Sequence, residues 1–239
     1  DALPIFASLL SSFNSMIAIQ TKMRDDLIEA EKLKQQLSLS LLQQQVNPHF
    51  LYNTLDSICA LAELDEKETL IQLVMNLSSF YRSSLSNGKM HISIGQELEI
   101  SRAYLEILQI RYFHKFDFTI TCPEALKNYS CIKLLLQPIL ENSIYHGIKG
   151  LDRHGILHIE AEDTGDCIRF TISDNGRGFS KEDYEKIWQQ DADHFGIKSI
   201  QQRILLYYGP GYGLSMESPQ TGGCITVITL PKQEGLPCH

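Results

Sequence analysis

Apolar residues recur at helical spacing through the first half of the chain and at alternating spacing through the second. Met23, Leu27, Ala30, Leu37 and Leu41 fall on a 4-3 repeat that Lys34 interrupts. So narrow a stripe needs a partner helix, which predicts a coiled-coil stalk within residues 1–46, or else one amphipathic helix folded back on its own domain. Val46-Asn47-Pro48-His49 breaks the run. Pro48 lacks an amide hydrogen and crowds the Gln44 carbonyl, so a kink or a fresh helix start capped by Asn47 is expected. The next helix is expected to reach about Glu63. Its spacing puts Leu51, Leu55, Ile58 and Ala62 on the apolar face and Gln45, His49, Asn53 and Asp56 on the polar one. Two more helices are expected over residues 66–85, stopped by Asn87-Gly88, and 96–113.

After residue 113 the period shifts. Residues 116–121 alternate as a strand and 132–145 read as a helix. Strands over 156–162 and 167–173 flank Asp163-Thr164-Gly165-Asp166, a hairpin signal. Helices over 181–188 and 196–208 follow, then strands over 212–217 and 224–230 around Thr221-Gly222-Gly223. Helices first and a mixed region afterwards indicate an α+β chain in three parts: a stalk over 1–46, a helical domain over 47–113 and a mixed-sheet domain over 114–239.

Composition narrows the function classes. The chain is 43% hydrophobic and 21% charged, with a net charge of -8, so a broad nucleic-acid surface is not expected. The six cysteines show no CxxC spacing, which favours isolated reduced thiols over a disulfide frame or zinc knuckle. His154 and His158 lack a completing ligand set and read as surface histidines rather than a zinc pair. No run approaches the roughly 18 apolar residues of a membrane span. Because helical periodicity begins at once from Asp1, the chain reads as the cytoplasmic end of something longer.

His49 sits beside the break on a polar helix face, and a neutral imidazole is a nucleophile at pH 7. A lone histidine there is also an ordinary surface residue. The surrounding Asn47-Pro48-His49-Phe50-Leu51-Tyr52-Asn53, however, resembles the phospho-acceptor box of bacterial sensor histidine kinases of the LytS/YesM-like group. The resemblance extends over residues 40–231. Residues 136–147, Leu-Gln-Pro-Ile-Leu-Glu-Asn-Ser-Ile-Tyr-His-Gly, resemble the N-box helix of the GHKL (Bergerat) nucleotide-binding fold, an α/β sandwich on a mixed sheet. Asp174-Asn175-Gly176-Arg177-Gly178 resembles its first glycine box, a sequence that is also a plain turn in isolation. His194-Phe195-Gly196-Ile197-Lys198-Ser199-Ile200 stands at the second glycine box and Thr221-Gly222-Gly223-Cys224 at the last.

The resemblance implies ATP and Mg²⁺ as cofactors, with Asn142 as the Mg²⁺ ligand, a role suited to an amide oxygen. It implies nucleotide contacts from Asn142, His146, Asp174, Gly176, Gly178, Gly196, Lys198 and Gly223. His49 is the implied phospho-acceptor, Glu141 an orienting group, and Asn53 or Asp56 the holder of the imidazole. It further implies a homodimer, a response-regulator receiver domain as phosphoryl recipient, and an upstream membrane sensor. Ser12-Phe13-Asn14-Ser15-Met16 resembles a HAMP relay helix. Four positions depart from the family pattern: Tyr145 for lysine, His194 for glycine, Ser199 for asparagine and Cys224 for threonine. Two rivals follow. One is a GHKL ATPase, which needs a glutamate where Pro138 stands; the other is a non-catalytic scaffold that binds nucleotide or merely dimerises.

Overall fold

The computed structural model describes residues 16–17, 19–28, 48–84, 90–188 and 195–233. Residues 16–17 and 19–28 are helical, with Met23 and Leu27 of the expected stalk seam exposed; Ala30, Lys34, Leu37 and Leu41 lie outside the described residues. So do Gln44 and Asn47, Asn87 and Gly88, His194, and all but Met16 of the relay-like segment. Among the described residues no helix is long and apolar enough to cross a membrane.

The chain divides into two compact units, Asp1–Asn47 and Pro48–His239. The second carries the rest of the described elements. It opens with helices α1 (Pro48–Glu63) and α2 (Lys67–Ser84), a short strand β1 (His91–Ser93) and α3 (Ile94–Arg111). Ser93 starts α3 with a capping box: its hydroxyl accepts from the Gln96 amide while the Gln96 side chain accepts from the Ser93 amide. Then come β2 (Phe116–Thr121), β3 (Ser130–Ile132), α4 (Gln137–Asn142), a π-helical turn over Ser143–Ile148, β4 (Gly155–Asp163) and β5 (Cys167–Asp174). Helices α5 (Lys181–Trp188) and α6 (Phe195–Tyr208) and strands β6 (Gly213–Glu217) and β7 (Cys224–Pro231) complete it. Five strands form one mixed sheet in the order β2-β4-β5-β7-β6, parallel between β2 and β4 and antiparallel elsewhere; β1 pairs with β3 apart from it.

One face of the sheet is apolar by strict alternation: Leu157, Ile159 and Ala161 on β4; Ile168, Phe170 and Ile172 on β5; Ile228 and Leu230 on β7. Helix α3 is buried along most of its length. It meets α2 and also reaches residues 134–141 through Glu97 and Tyr104, so the expected 113/114 boundary falls inside one hydrophobic core.

Two expectations from spacing are corrected. The buried line of α1 is Phe50 and Thr54, with Ile58 and Leu61 partly covered, whereas Leu55 and Ala62 are exposed and Leu51 is only half-buried. Phe50 sets that phase. Its ring lies 5.3 Å from Phe80 and 5.0 Å from Tyr104, and Thr54 is tolerated beneath because its hydroxyl donates to the Phe50 carbonyl at 2.7 Å.

Residues 132–145 are also not one helix. The buried Glu97 carboxylate accepts from the amides of Leu134 and Leu136 at 2.8 and 2.9 Å. From the other side the buried Arg203 guanidinium donates to the carbonyls of Lys133 and Leu134. These backbone groups are therefore spent on side chains, Leu134 takes a left-handed φ of 55°, and helix begins only at Gln137 with Pro138 in its first turn.

Burial raises the Glu97 pKa, and Arg203 works against that rise. Replacing Arg203 with methionine is expected to cost about 3–5 kcal/mol in denaturant unfolding at neutral pH, since a buried carboxylate loses its countercharge. The penalty shrinks as acidification protonates Glu97. A penalty independent of pH contradicts this account.

Candidate nucleotide site and phospho-acceptor helix

Register builds the cleft. On β5 the buried phase runs Ile168, Phe170, Ile172 and then Asp174, so a carboxylate occupies the last apolar slot of the strand. Asp174 is paired with Leu157 of β4 on one side and Cys224 of β7 on the other. The π-helical turn faces this strand end. Its residues Ser143, His146 and Gly147, with Asn142 at the end of α4, border a cleft of about 370 Å³. Arg177, Gly178, Phe179, Asp183 and Cys224 complete the lining. A volume in this range suits a small organic ligand.

The Asp174 carboxyl is 9% exposed. Its Oδ1 accepts from the Gly176 amide at 2.9 Å, whereas Oδ2 is buried without a well-formed hydrogen bond. Burial raises its pKa, opposed by the Ser143 hydroxyl and the Gly176 and Cys224 amides. An acceptor left in this condition is complementary to an N–H donor on a ligand.

Two glycines allow the backbone to close around it. A Cβ on Gly176 would come within 2.7 Å of both Asp174 Oδ1 and the Gly147 Cα. Gly223 has a φ of 86°, and a Cβ there would run into the Asp174 carbonyl oxygen. The Gly223 amide donates to the Gly176 carbonyl at 2.9 Å, tying the first and last glycine boxes together.

A second cleft of about 150 Å³ adjoins the first through the shared Asn142 and His146, and is lined also by Pro138, Glu141, Tyr145, Gly196 and Ile197. Thus Asn142, His146, Glu141, Asp174, Gly178 and Gly196 all border one of the two clefts, with Gly176 and Gly223 in the backbone behind Asp174. Lys198 is half-buried and borders neither. Ser199 is buried. Tyr145 meets Tyr112 edge-on at 6.2 Å, and the Lys149 ammonium lies 5.7 Å from each ring, so a cation still stands beside the position where the family pattern has lysine.

Glu141 is held from two sides: its Oε1 accepts from the Tyr104 hydroxyl at 3.1 Å and from Gln137 Nε2 at 3.3 Å. Burial and the neighbouring Glu141 charge keep the Tyr104 pKa well above the ordinary phenol value, so this hydroxyl is a donor throughout the working pH range. The sequence pattern singles out neither Tyr104 nor the cleft residues Phe179 and Asp183, whereas Arg177 lies within the first glycine box. A tyrosine on an apolar helix carries no local signal.

His49 is exposed on α1, one residue from the Phe50 anchor. Its Nε2 lies 3.0 Å from Asn53 Nδ2, one turn on; Asp56, the other candidate, is also exposed. With the amide nitrogen donating, Nε2 accepts and the ring proton rests on Nδ1. His154 pairs instead with Asp117 at 2.9 Å and His158 with Thr119 at 2.6 Å. Among the described residues no group of three or more His, Cys, Asp or Glu converges as a metal site.

Residues 37–116 match the family model described as Histidine kinase, and residues 129–234 the model described as Histidine kinase-, DNA gyrase B-, and HSP90-like ATPase. Over 219 residues the chain is 31% identical to the sensor histidine kinase YesM of Bacillus subtilis, covering 92% of this chain and 37% of that protein. It is 33% identical over 181 residues to BtsS of Escherichia coli, covering 76% and 31%. With the histidine kinase/phosphatase LytS of Staphylococcus aureus it shares 28% over 207 residues, covering 82% and 35%. The chain therefore spans about a third of the length of the curated relatives it matches. The catalytic domain of histidine kinase ThkA superposes with a TM-score of 0.47 at 16% identity, covering 61% of this chain and 97% of that one. With the glycine boxes closed around Asp174 and both models matched in order, the chain belongs to the sensor histidine kinase family, in its LytS/YesM-like group, and carries the GHKL ATPase fold.

Proposed function

We propose that this chain transfers the γ-phosphoryl group of MgATP to His49 and then passes it to an aspartate of a response-regulator receiver domain. The observation that carries the reading is the pairing, within one compact unit, of an exposed, hydrogen-bonded imidazole and a cleft whose buried aspartate has one oxygen without a well-formed hydrogen bond. Asp174 Oδ2 accepts the exocyclic amino group of adenine. Asn142 and His146, shared by both clefts, lie where the polyphosphate leaves the first for the second, and Gly178, Gly196 and the backbone closed by Gly176 and Gly223 give it room.

The donor set fits magnesium. Asn142 supplies a hard amide oxygen and Glu141 stands next to it, and such an ion takes most of its remaining ligands from phosphate and water. Bound there, Mg²⁺ supplies charge neutralisation on the phosphates. Lys198 borders neither cleft, so its contact requires movement of α6. At the acceptor, the Asn53 amide turns away from Nε2 before that lone pair attacks phosphorus. The P–N bond forms as the bond to the ADP oxygen breaks, and phosphoryl transfer of this kind depends chiefly on alignment.

A second copy of the chain is the proposed partner for the apolar surface left on α1 and α2, where Tyr52, Leu55, Ile71, Val74 and Met75 are all at least 42% exposed. By the same reading, the whole protein places this portion on the cytoplasmic side of a membrane sensor. The test is incubation with γ-labelled ATP and Mg²⁺. Acid-labile, alkali-stable label that moves to a receiver domain is the expected result. A chain that binds ATP, dimerises and stays unlabelled favours the scaffold.

A further inference from the structure

Tyr104 stands between the acceptor helix and the nucleotide site. It is fully buried on α3, with its ring 5.0 Å from Phe50 and 5.8 Å from Phe80. Phe50 directly follows His49 in α1, so the face of Tyr104 reads whether the acceptor helix is seated. Its hydroxyl points the other way, to Glu141 Oε1, and Glu141 precedes Asn142. One rigid side chain thus touches the acceptor helix with its ring and Glu141, the neighbour of Asn142, with its oxygen.

Neither packing nor solubility calls for that hydroxyl. A phenylalanine fills the same aromatic cluster, and a buried phenol oxygen is retained only where it has a partner. The partner here is a carboxylate oxygen 3.1 Å away, and it accepts from the phenol hydroxyl. Gln137 reaches the same oxygen from within α4 but makes no contact with the acceptor helix through an aromatic ring. The link from α1 to Glu141 by stacking and hydrogen bond is therefore made by Tyr104.

We propose that Tyr104 is a positioning residue for phosphoryl transfer: it fixes the Glu141 carboxylate beside Asn142, and does so through a ring seated on Phe50 of the acceptor helix. The inference rests on the kinase reading above. Tyr104 touches neither nucleotide nor imidazole; it acts through Glu141.

The experiment is a double-mutant cycle on the full chain with Tyr104→Phe and Glu141→Gln, reading the rate of His49 labelling at saturating MgATP together with nucleotide affinity. Tyr104→Phe is expected to slow labelling several-fold, up to roughly tenfold, while nucleotide affinity stays within about twofold, as for loss of a hydrogen bond used in alignment. The double variant is expected to be no slower than Glu141→Gln alone, because the hydroxyl has then lost the charge it orients. A residue that merely fills space gives no such coupling. An unchanged rate in Tyr104→Phe, or rate losses that simply add, overturns the inference while leaving the kinase reading intact. A parent chain that never takes up label sinks the kinase reading and this inference with it.

Discussion

A His49→Ala chain is expected to take up no label from γ-labelled ATP and to bind the nucleotide as the parent does, within about twofold. The first half follows from chemistry: alanine offers no nucleophile, and phosphoryl transfer has no substitute route through alignment alone. The second follows from placement. His49 is exposed on α1 and borders neither cleft, while the burial of α1 depends on its neighbour Phe50 rather than on the imidazole. Residual label in the variant would show a different acceptor. Loss of nucleotide binding would show that α1 is part of the pocket. Mixing His49→Ala with Asn142→Ala chains then reports on geometry, because recovered label requires one chain's nucleotide to reach the other chain's imidazole.

Asp174→Asn is expected to weaken nucleotide binding by about 10–100-fold, the range for losing a hydrogen bond to a charged acceptor. The pH dependence should change with it. Because burial raises the Asp174 pKa, this carboxyl favours the empty fold only in its protonated form. That contribution is fully present below the ordinary carboxylate range and is lost as pH rises through the raised value. At neutral pH the empty parent bears the cost of a buried charge, so the uncharged isostere should unfold at equal or higher denaturant concentration. An amino group on the ligand prefers the ionised carboxylate. Parent affinity is therefore flat above the raised pKa and falls by up to about tenfold per pH unit below it, whereas the variant shows no such limb. Calorimetric titration across pH separates these outcomes. A pH-dependent Asp174→Asn chain, or one that binds as tightly as the parent, contradicts the assignment of the base-recognising acceptor.

These expectations draw on two kinds of information. Alternation along β4, β5 and β7 and the helical spacing of α2, α5 and α6 are local properties, set by which side chains can face a core at period 2 or 3.6. From them the α+β order and the limits of the five strands of the main sheet, to within about one residue, were legible, whereas the short strands β1 and β3, which pair only with each other, left no alternating pattern to read. The glycine boxes were legible for a related reason: a turn that approaches a carboxylate closely tolerates no Cβ, as Gly176 and Gly223 show. Asp174 was legible only through the glycine-box resemblance; that it fills the last buried slot of β5 emerged with the fold, because the strand runs one residue further than its alternation suggests.

Where the sequence pattern failed, long-range partners had overruled local preference. Residues 133–136 belong to an apolar run that suits a helix, but Glu97 lies 37 and 39 positions from the amides it takes, and Arg203 lies 69 and 70 from the carbonyls it holds. The phase of α1 was misjudged because aliphatic spacing cannot reveal that Phe80 and Tyr104 would converge on Phe50.

By itself, then, the sequence determined the order of the helices and of the five main-sheet strands, the outward placement of His49 and the residues of the glycine boxes, since each follows from neighbours a few positions away. The tertiary structure alone decided which face of the acceptor helix is buried, where the N-box helix begins, and that Tyr104 and Gln137 share a carboxylate oxygen of Glu141. The reason is physical: a buried charge or ring takes whatever partner the folded chain brings within reach, and sequence separation sets no limit on which partner that is.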